Sequence, residues 1–323
     1  MEKIKQITKA VHLMIIALCA TLVLSSCDKK ENKELVGKAG TLTWKVTDDG
    51  TLFISGTGEM PDYYDYHAPW YEYRNSISAL DIESGVTYIG GLAFDGCCNL
   101  TSIAIPNSIT SIGYSAFRDC NGLTTLNFNA VNCHAMGNEL HSIKYGAFTG
   151  CRNLTIVNIG SEVTRIPHFA FYDCSGLTSV TIPNSVTSIG AFAFYGCSGL
   201  MSVTIPSSVT VIEYMAFLGC TGLTSVTIPN SVISIGPMAF QNCSDLTSIT
   251  IPNSVATIAY GAFGLCSSLT EFINLRTTPQ EIGTTVFYNL NLTNCTLRVP
   301  ATSIDAYKDA AYWKDFGNMV AIE

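Results

Sequence analysis

Cysteine is the residue type in this 323-residue chain with the most chemistry to offer, and there are 13 of them. Eight share one repeating position: Cys97, Cys120, Cys151, Cys174, Cys197, Cys220, Cys243 and Cys266. In a secreted protein such a number invites a disulfide framework. Residues that replace one another at a fixed inward site would instead stack about 4.8 Å apart, like the rungs of a sheet. Parallel side chains suit the near-perpendicular disulfide dihedral poorly. The eight therefore read as small buried hydrophobes with free thiols. No Cys-x-x-Cys pair supports a zinc site. Cys133, His134 and His141 lie in or beside an interruption of the repeat; three such ligands in a loop could hold a metal, and loop polarity accounts for them equally well. After residue 26 the histidines are His67, His134, His141 and His168, with no nucleophile elbow, P-loop or dinucleotide fingerprint around them. Acidic residues are scattered rather than paired for a cleft. The chain reads as a non-enzyme without a cofactor.

One cysteine outside the series has a different meaning. Lys3, Lys5 and Lys9 precede an apolar stretch from Val11 to Val23, too short to span a bilayer comfortably. It ends in Leu24-Ser25-Ser26-Cys27, which resembles a bacterial lipobox, so residues 1–26 read as a lipoprotein signal peptide and Cys27 as the lipidated N-terminus. Two acyl chains there would hold a membrane firmly, which one alone does not. Residues 27–39, opening with Asp28-Lys29-Lys30-Glu31, read as a flexible tether.

The elements that carry these residues follow from the dipeptide Ala-Phe. Its phenylalanines are Phe94, Phe117, Phe148, Phe171, Phe194, Phe217, Phe240 and Phe263, at intervals of 23 except one of 31. A leading apolar residue keeps phase from Ile77 through Leu100 to Leu269, giving nine repeats over residues 77–291. In the clearest unit Val180 and Ile182 alternate as a short strand, and Pro183 ends it. Asn184-Ser185 then turns the chain. Val186 to Ile189 begins a second extended piece, closed by Gly190, for which a positive φ is open. Ala193-Phe194 fits a single helical turn. The expected architecture is a β-rich, right-handed solenoid with parallel strands. The 31-residue interval places eight extra residues within 129–139.

A lone coil cannot order itself. Burying eight side chains contributes about 12–24 kcal/mol, against roughly 35 kcal/mol to order 23 residues. Stacked neighbours and covered ends must supply the difference. Residues 40–76 read as an N-terminal cap: Leu42, Trp44 and Val46 alternate, Asp49-Gly50 turns, and Leu52 and Ile54 alternate back. Residues 292–323 read as a C-terminal cap, with a last strand at Leu297 to Pro300 and an amphipathic helix from Ile304 to Trp313. Tyr63, Tyr64, Tyr66, Trp70, Tyr71 and Tyr73 crowd the first cap, where they either shield the open core or stack sugars.

The surface is sparsely charged: 13% of residues are charged, for a formal net charge of −8, which gives a nucleic-acid partner no support. Outward strand positions form the most regular pattern, the pairs Ser179/Thr181, Ser202/Thr204, Ser225/Thr227 and Ser248/Thr250. They are either polar residues that strands tolerate or a neutral recognition face.

The unit Leu-x-x-Val-x-Ile-Pro-x-Ser-Val-x-x-Ile-Gly-x-x-Ala-Phe-x-x-Cys resembles the BspA-like leucine-rich repeat family. Gly50 to Trp70 and Val299 to Phe316 are similar to its usual caps. The resemblance implies an outer-membrane surface lipoprotein that adheres to a host or bacterial protein, and it carries over no catalytic residue. A glycan-binding lipoprotein using the cap aromatics, and a structural surface scaffold with no dedicated ligand, are the competing readings. The third repeat departs from the pattern by its insertion. The fourth has Gly160 for proline and Ile166-Pro167 for Ile-Gly, and the ninth has Val286-Phe287 for Ala-Phe.

Overall fold

The computed structural model describes residues 35–64, 68–138 and 145–322, all but Leu35 within one compact unit. Each of the first eight repeats contributes one strand to each of two sets of parallel strands, and the ninth adds only an isolated bridge at Ile282 to the second. The first runs through Ser102–Ile105, Thr125–Phe128, Ile156–Ile159, Ser179–Thr181, Ser202–Thr204 and Ser225–Thr227 in a single six-stranded sheet. Its register is the repeat itself: Val180 faces Val203, and Val203 faces Val226. The second runs through two-residue strands such as Ser188–Ile189, Val211–Ile212 and Ser234–Ile235. The chain is a parallel β-solenoid of leucine-rich repeats, as the periodicity predicts.

Apolar stations stack between the ladders. Phe94, Phe117 and Phe148 lie face to face at 5.0 Å, and the run from Phe194 to Phe263 continues at 5.1 to 5.7 Å. At one end Trp70 takes over the phenylalanine position, stacked 5.6 Å from Phe94, its indole N–H donating to Ala93 O. At the other, Trp313 covers Phe272 and Phe287 and donates to Gln280 O. Both indoles are buried, so the solenoid ends under an aromatic lid with its one polar atom bonded.

The polar residues of the unit are bonded across repeats. Ser108, Ser185, Ser231 and Ser254 each donate to a valine carbonyl one coil back. Thr110 and Thr187 donate in the same direction. The cysteine thiols donate to phenylalanine carbonyls: Cys120 to Phe94, Cys197 to Phe171 and Cys220 to Phe194, at 3.0 to 3.1 Å.

The corners differ from expectation. Gly190 does not take a positive φ. Its missing side chain spares a close approach instead: a Cβ there would lie 2.8 Å from His168 N and 2.9 Å from Ile166 O. The left-handed residue falls two positions later, at Leu92, Ser115, Phe169, Phe192, Met215 and Met238, with φ from 52° to 59°. A second left-handed position precedes each cysteine, as at Asp119, Asp173 and Gly196. These breaks prevent a helical turn at Ala193-Phe194; successive four-residue turns form instead, Tyr195 N to Phe192 O and Cys197 N to Phe194 O.

Three boundaries also shift. Leu35–Ala39, read from sequence as the end of the tether, is a strand beside the Leu42–Val46 and Thr51–Ser55 hairpin. The C-terminal helix is only Ile304–Asp309, because Ala310 turns extended. Beyond it Asn318–Ile322 adds a further parallel strand to Thr296–Pro300. The insertion is divided. Ala135 and Met136 pair with Ser111 and Ile112, which sets Cys133 at the Val186 position and Met136 at that of Ile189. One extra residue therefore precedes Cys133 and seven follow Met136. Gly137 and Asn138 turn back against Gly146 and Tyr145 as a hairpin.

Candidate binding face

The strand positions named from sequence come together. Ser179, Ser202 and Ser225 lie in one register column, and Thr181, Thr204 and Thr227 in the next. Alternation turns the valines between them inward and leaves these six exposed. Ser248 and Thr250 continue the series on the next coil, but their strand opens a second sheet, pairing with Glu271–Asn274. Ser248 is half-buried. The face is longer than the hydroxyl pairs. Asn158 pairs with Thr181 on one side and Asn127 on the other, and its amide donates to Asn127 Oδ1 at 2.8 Å. Beside it Ile156 stands 51% exposed. Beyond Thr250 the same columns hold Glu271 and Arg298, which form an ion pair. The middle of the face is uncharged, and its charges gather at the end.

The eight repeat cysteines are buried free thiols, whereas Cys98 is exposed. Burial raises the Cys97 and Cys266 thiols to about 12 and pushes Cys197, Cys220 and Cys243 well above the ordinary value. A protonated, enclosed thiol is neither nucleophile nor metal ligand. Cys133 belongs to the core and not to the loop, its thiol likewise raised to about 12 by burial. It thereby leaves the trio that it formed in sequence with His134 and His141; His134 is exposed, and His141 lies outside the described residues. No group of three metal-ligating side chains occurs among the described residues. Cys27, Tyr66 and His67 also lie outside them.

Trp44, Tyr63 and Trp70 of the cap are packing. Trp70 is fully buried, Tyr63 nearly so, and Trp44 packs edge-on against Trp70 at 6.1 Å. Trp70 has no face left for a sugar, which removes it from the glycan-stacking reading; Tyr64 is exposed. Sequence reasoning missed two features. The Asn127–Asn158 ladder was legible as asparagine at one strand position in successive repeats. The Tyr214–Tyr260 surface at the corners was not, because the left-handed turn that presents it has no fixed residue type.

Two parallel ladders of short strands, repeated coil on coil, define a leucine-rich-repeat solenoid. The match to the family model "BspA type Leucine rich repeat region (6 copies)" covers residues 69–141, 131–246 and 187–308, and the chain belongs to that family. Among solved structures, a leucine-rich repeat protein from Bacteroides ovatus is similar with a TM-score of 0.52 at 22% identity, over 88% of this chain and 76% of that one. A leucine rich cell surface protein from Faecalibacterium prausnitzii has a TM-score of 0.37 at 20% identity, over 89% and 95%. The T. pallidum leucine rich repeat protein has a TM-score of 0.36 at 25% identity, over 65% and 90%. A search of curated proteins gave no match.

Proposed function

We propose that this chain is an exported surface lipoprotein, anchored through Cys27, that adheres to a host or bacterial protein through the strand face. One observation carries the reading: the hydroxyl pairs Ser179/Thr181, Ser202/Thr204 and Ser225/Thr227 stand exposed and in register. Hydroxyls held in line by the backbone offer donors and acceptors with little ordering cost on binding. Family membership supports a protein-interaction role. Affinity then comes from many modest contacts, multiplied by display on a cell surface.

Surface shaving tests the premise: protease added to intact cells should cleave the protein alongside known surface proteins. Protection of this chain while those are cut would sink the adhesin reading. Metabolic labelling with a palmitate analogue tests the anchor, and Cys27→Ala should abolish the label. Immobilised matrix proteins such as fibronectin and laminin serve as first probes for binding.

A further inference from the structure

A second surface stands apart from the strand face, at the corner that follows the short strands. Glu213 occupies the place held by Gly190 and Gly236 in neighbouring repeats. The Ala191 N–H donates to Glu213 Oε2 at 3.1 Å and to His168 Nδ1 at 2.9 Å, which fixes the carboxylate by one oxygen. The next residue, Tyr214, packs edge-on to Phe192 at 5.1 Å. On the following two rungs the same position is Pro237 and then Tyr260. Met215 N–H donates to Pro237 O and Met238 N–H to Tyr260 O, both at 2.9 Å, so the backbone ladder sets the spacing. Tyr260 is 49% exposed, and so is Tyr288, which lies over Gly264. Met215 and Met238 are half-exposed between them. Desolvation, and then the nearby Tyr260 phenol, raise the Tyr214 hydroxyl.

The chemistry of this column narrows its ligand. Two tyrosines two rungs apart lie roughly 10 Å from one another. A proline ring lies between them, and a positioned carboxylate stands at the start. The column from Ala191 to Tyr260 carries no charge of its own. An extended polysaccharide has the complementary features. Its apolar C–H faces stack on flat side chains, alternate sugars present the same face, and its hydroxyls donate to a carboxylate. Glu213 and the net charge of −8 disfavour a polyanion. We infer that Tyr214, Pro237, Tyr260 and Glu213 form a site for a neutral polysaccharide laid along the stacking direction, separate from the protein-binding face.

Affinity electrophoresis of the purified chain tests this, in gels containing a β-1,4-glucan, a β-1,3-glucan, a xylan, an α-mannan or a sulfated dextran. At least one neutral polymer should retard the protein. Tyr214→Ala with Tyr260→Ala should weaken that retardation at least tenfold, whereas the double phenylalanine variant should keep it. Glu213→Gln should weaken it three- to tenfold. Should the double alanine variant unfold by circular dichroism, the exposed single change Tyr260→Ser gives the same reading. Retardation by no neutral polymer, or only by the sulfated one, overturns the inference. So does undiminished binding by the folded alanine variant.

Discussion

A thiol at the repeat's inward cysteine position does something that valine would not. It fills the space of a small hydrophobe and also donates to the phenylalanine carbonyl one coil back, as Cys220 does to Phe194 at 3.1 Å. The sequence shows that cysteine recurs, yet periodicity alone points only to burial; the donor role needs the carbonyl in place. Burial makes this column a pH-sensitive part of the fold. A thiol is uncharged when protonated, and burial pushes the Cys97 and Cys266 thiols up to about 12 in the folded chain, against an ordinary 9.0. Above about pH 9 the unfolded chain releases protons that the folded chain retains, so stability is complete below 9 and falls as pH rises towards 12. Each such thiol costs about 1.4 kcal/mol per pH unit in that window. Equilibrium denaturation should show a steep alkaline loss, and Cys220→Val should make it shallower while costing about 1 kcal/mol at pH 7. An unchanged alkaline slope would mean that the column is not the cause. A second test concerns Leu265, which holds φ at 62° where the preceding repeat has Asn242 at 58°. Leu265→Asn should raise stability by about 0.5–1 kcal/mol, because asparagine tolerates that conformation better than leucine, and thermal melting would reveal it.

At the scale of elements, the sequence was most legible where one physical demand repeats. Strand alternation at Val180 and Ile182, and the stacking of Ala-Phe, follow from burial every 23 residues. Where the repeat bends, legibility fails. Gly190 suggested a left-handed turn, but it answers a close approach to His168 N, and Phe192 takes the left-handed position against its own preference. The insertion misled for a related reason. Counting finds eight extra residues, but only the pairing of Met136 with Ile112 shows that most follow the second strand. Deleting 129–139 would therefore remove Ala130, Cys133 and Met136 from the core. Such a variant should fail to fold, whereas removing 138–144 should leave the melting temperature within a few degrees. Of the hydroxyl pairs, three share one sheet and the fourth opens the next, a ladder break that leaves no mark in the repeat. Caps offer another test. Trp70→Ala exposes the end of the phenylalanine stack and should cost about 3–5 kcal/mol. Hydrogen exchange should then rise first in the repeats beside it, since each coil is held by its neighbours. Equal loss of protection along the whole chain would argue that the cap does not act locally.

For the whole molecule, regular stacking determines what kind of recognition is available. No single deep cleft gathers the exposed hydroxyls; Ser179, Thr181, Ser202, Thr204, Ser225 and Thr227 are arrayed at the spacing of the backbone ladder. A ligand met by such a face engages several rungs at once, each through contacts worth about 0.5–1.5 kcal/mol. Loss of one rung should therefore weaken binding to a protein partner only several-fold. Thr204→Lys, at the centre, should act this way, the lysine standing in solvent without disturbing the valine beneath it. Charging three rungs together, with Thr181→Lys, Thr204→Lys and Thr227→Lys, should weaken binding by at least a hundredfold. The melting temperature should change little, because none of these side chains packs in the core. Biosensor measurements on a protein ligand found among the matrix probes would compare the two variants. A single substitution that abolishes binding outright would point to one dominant contact in place of a distributed face. If the triple variant binds like the parent, recognition lies off the strand face, and the hairpin after Met136 becomes the next surface to test.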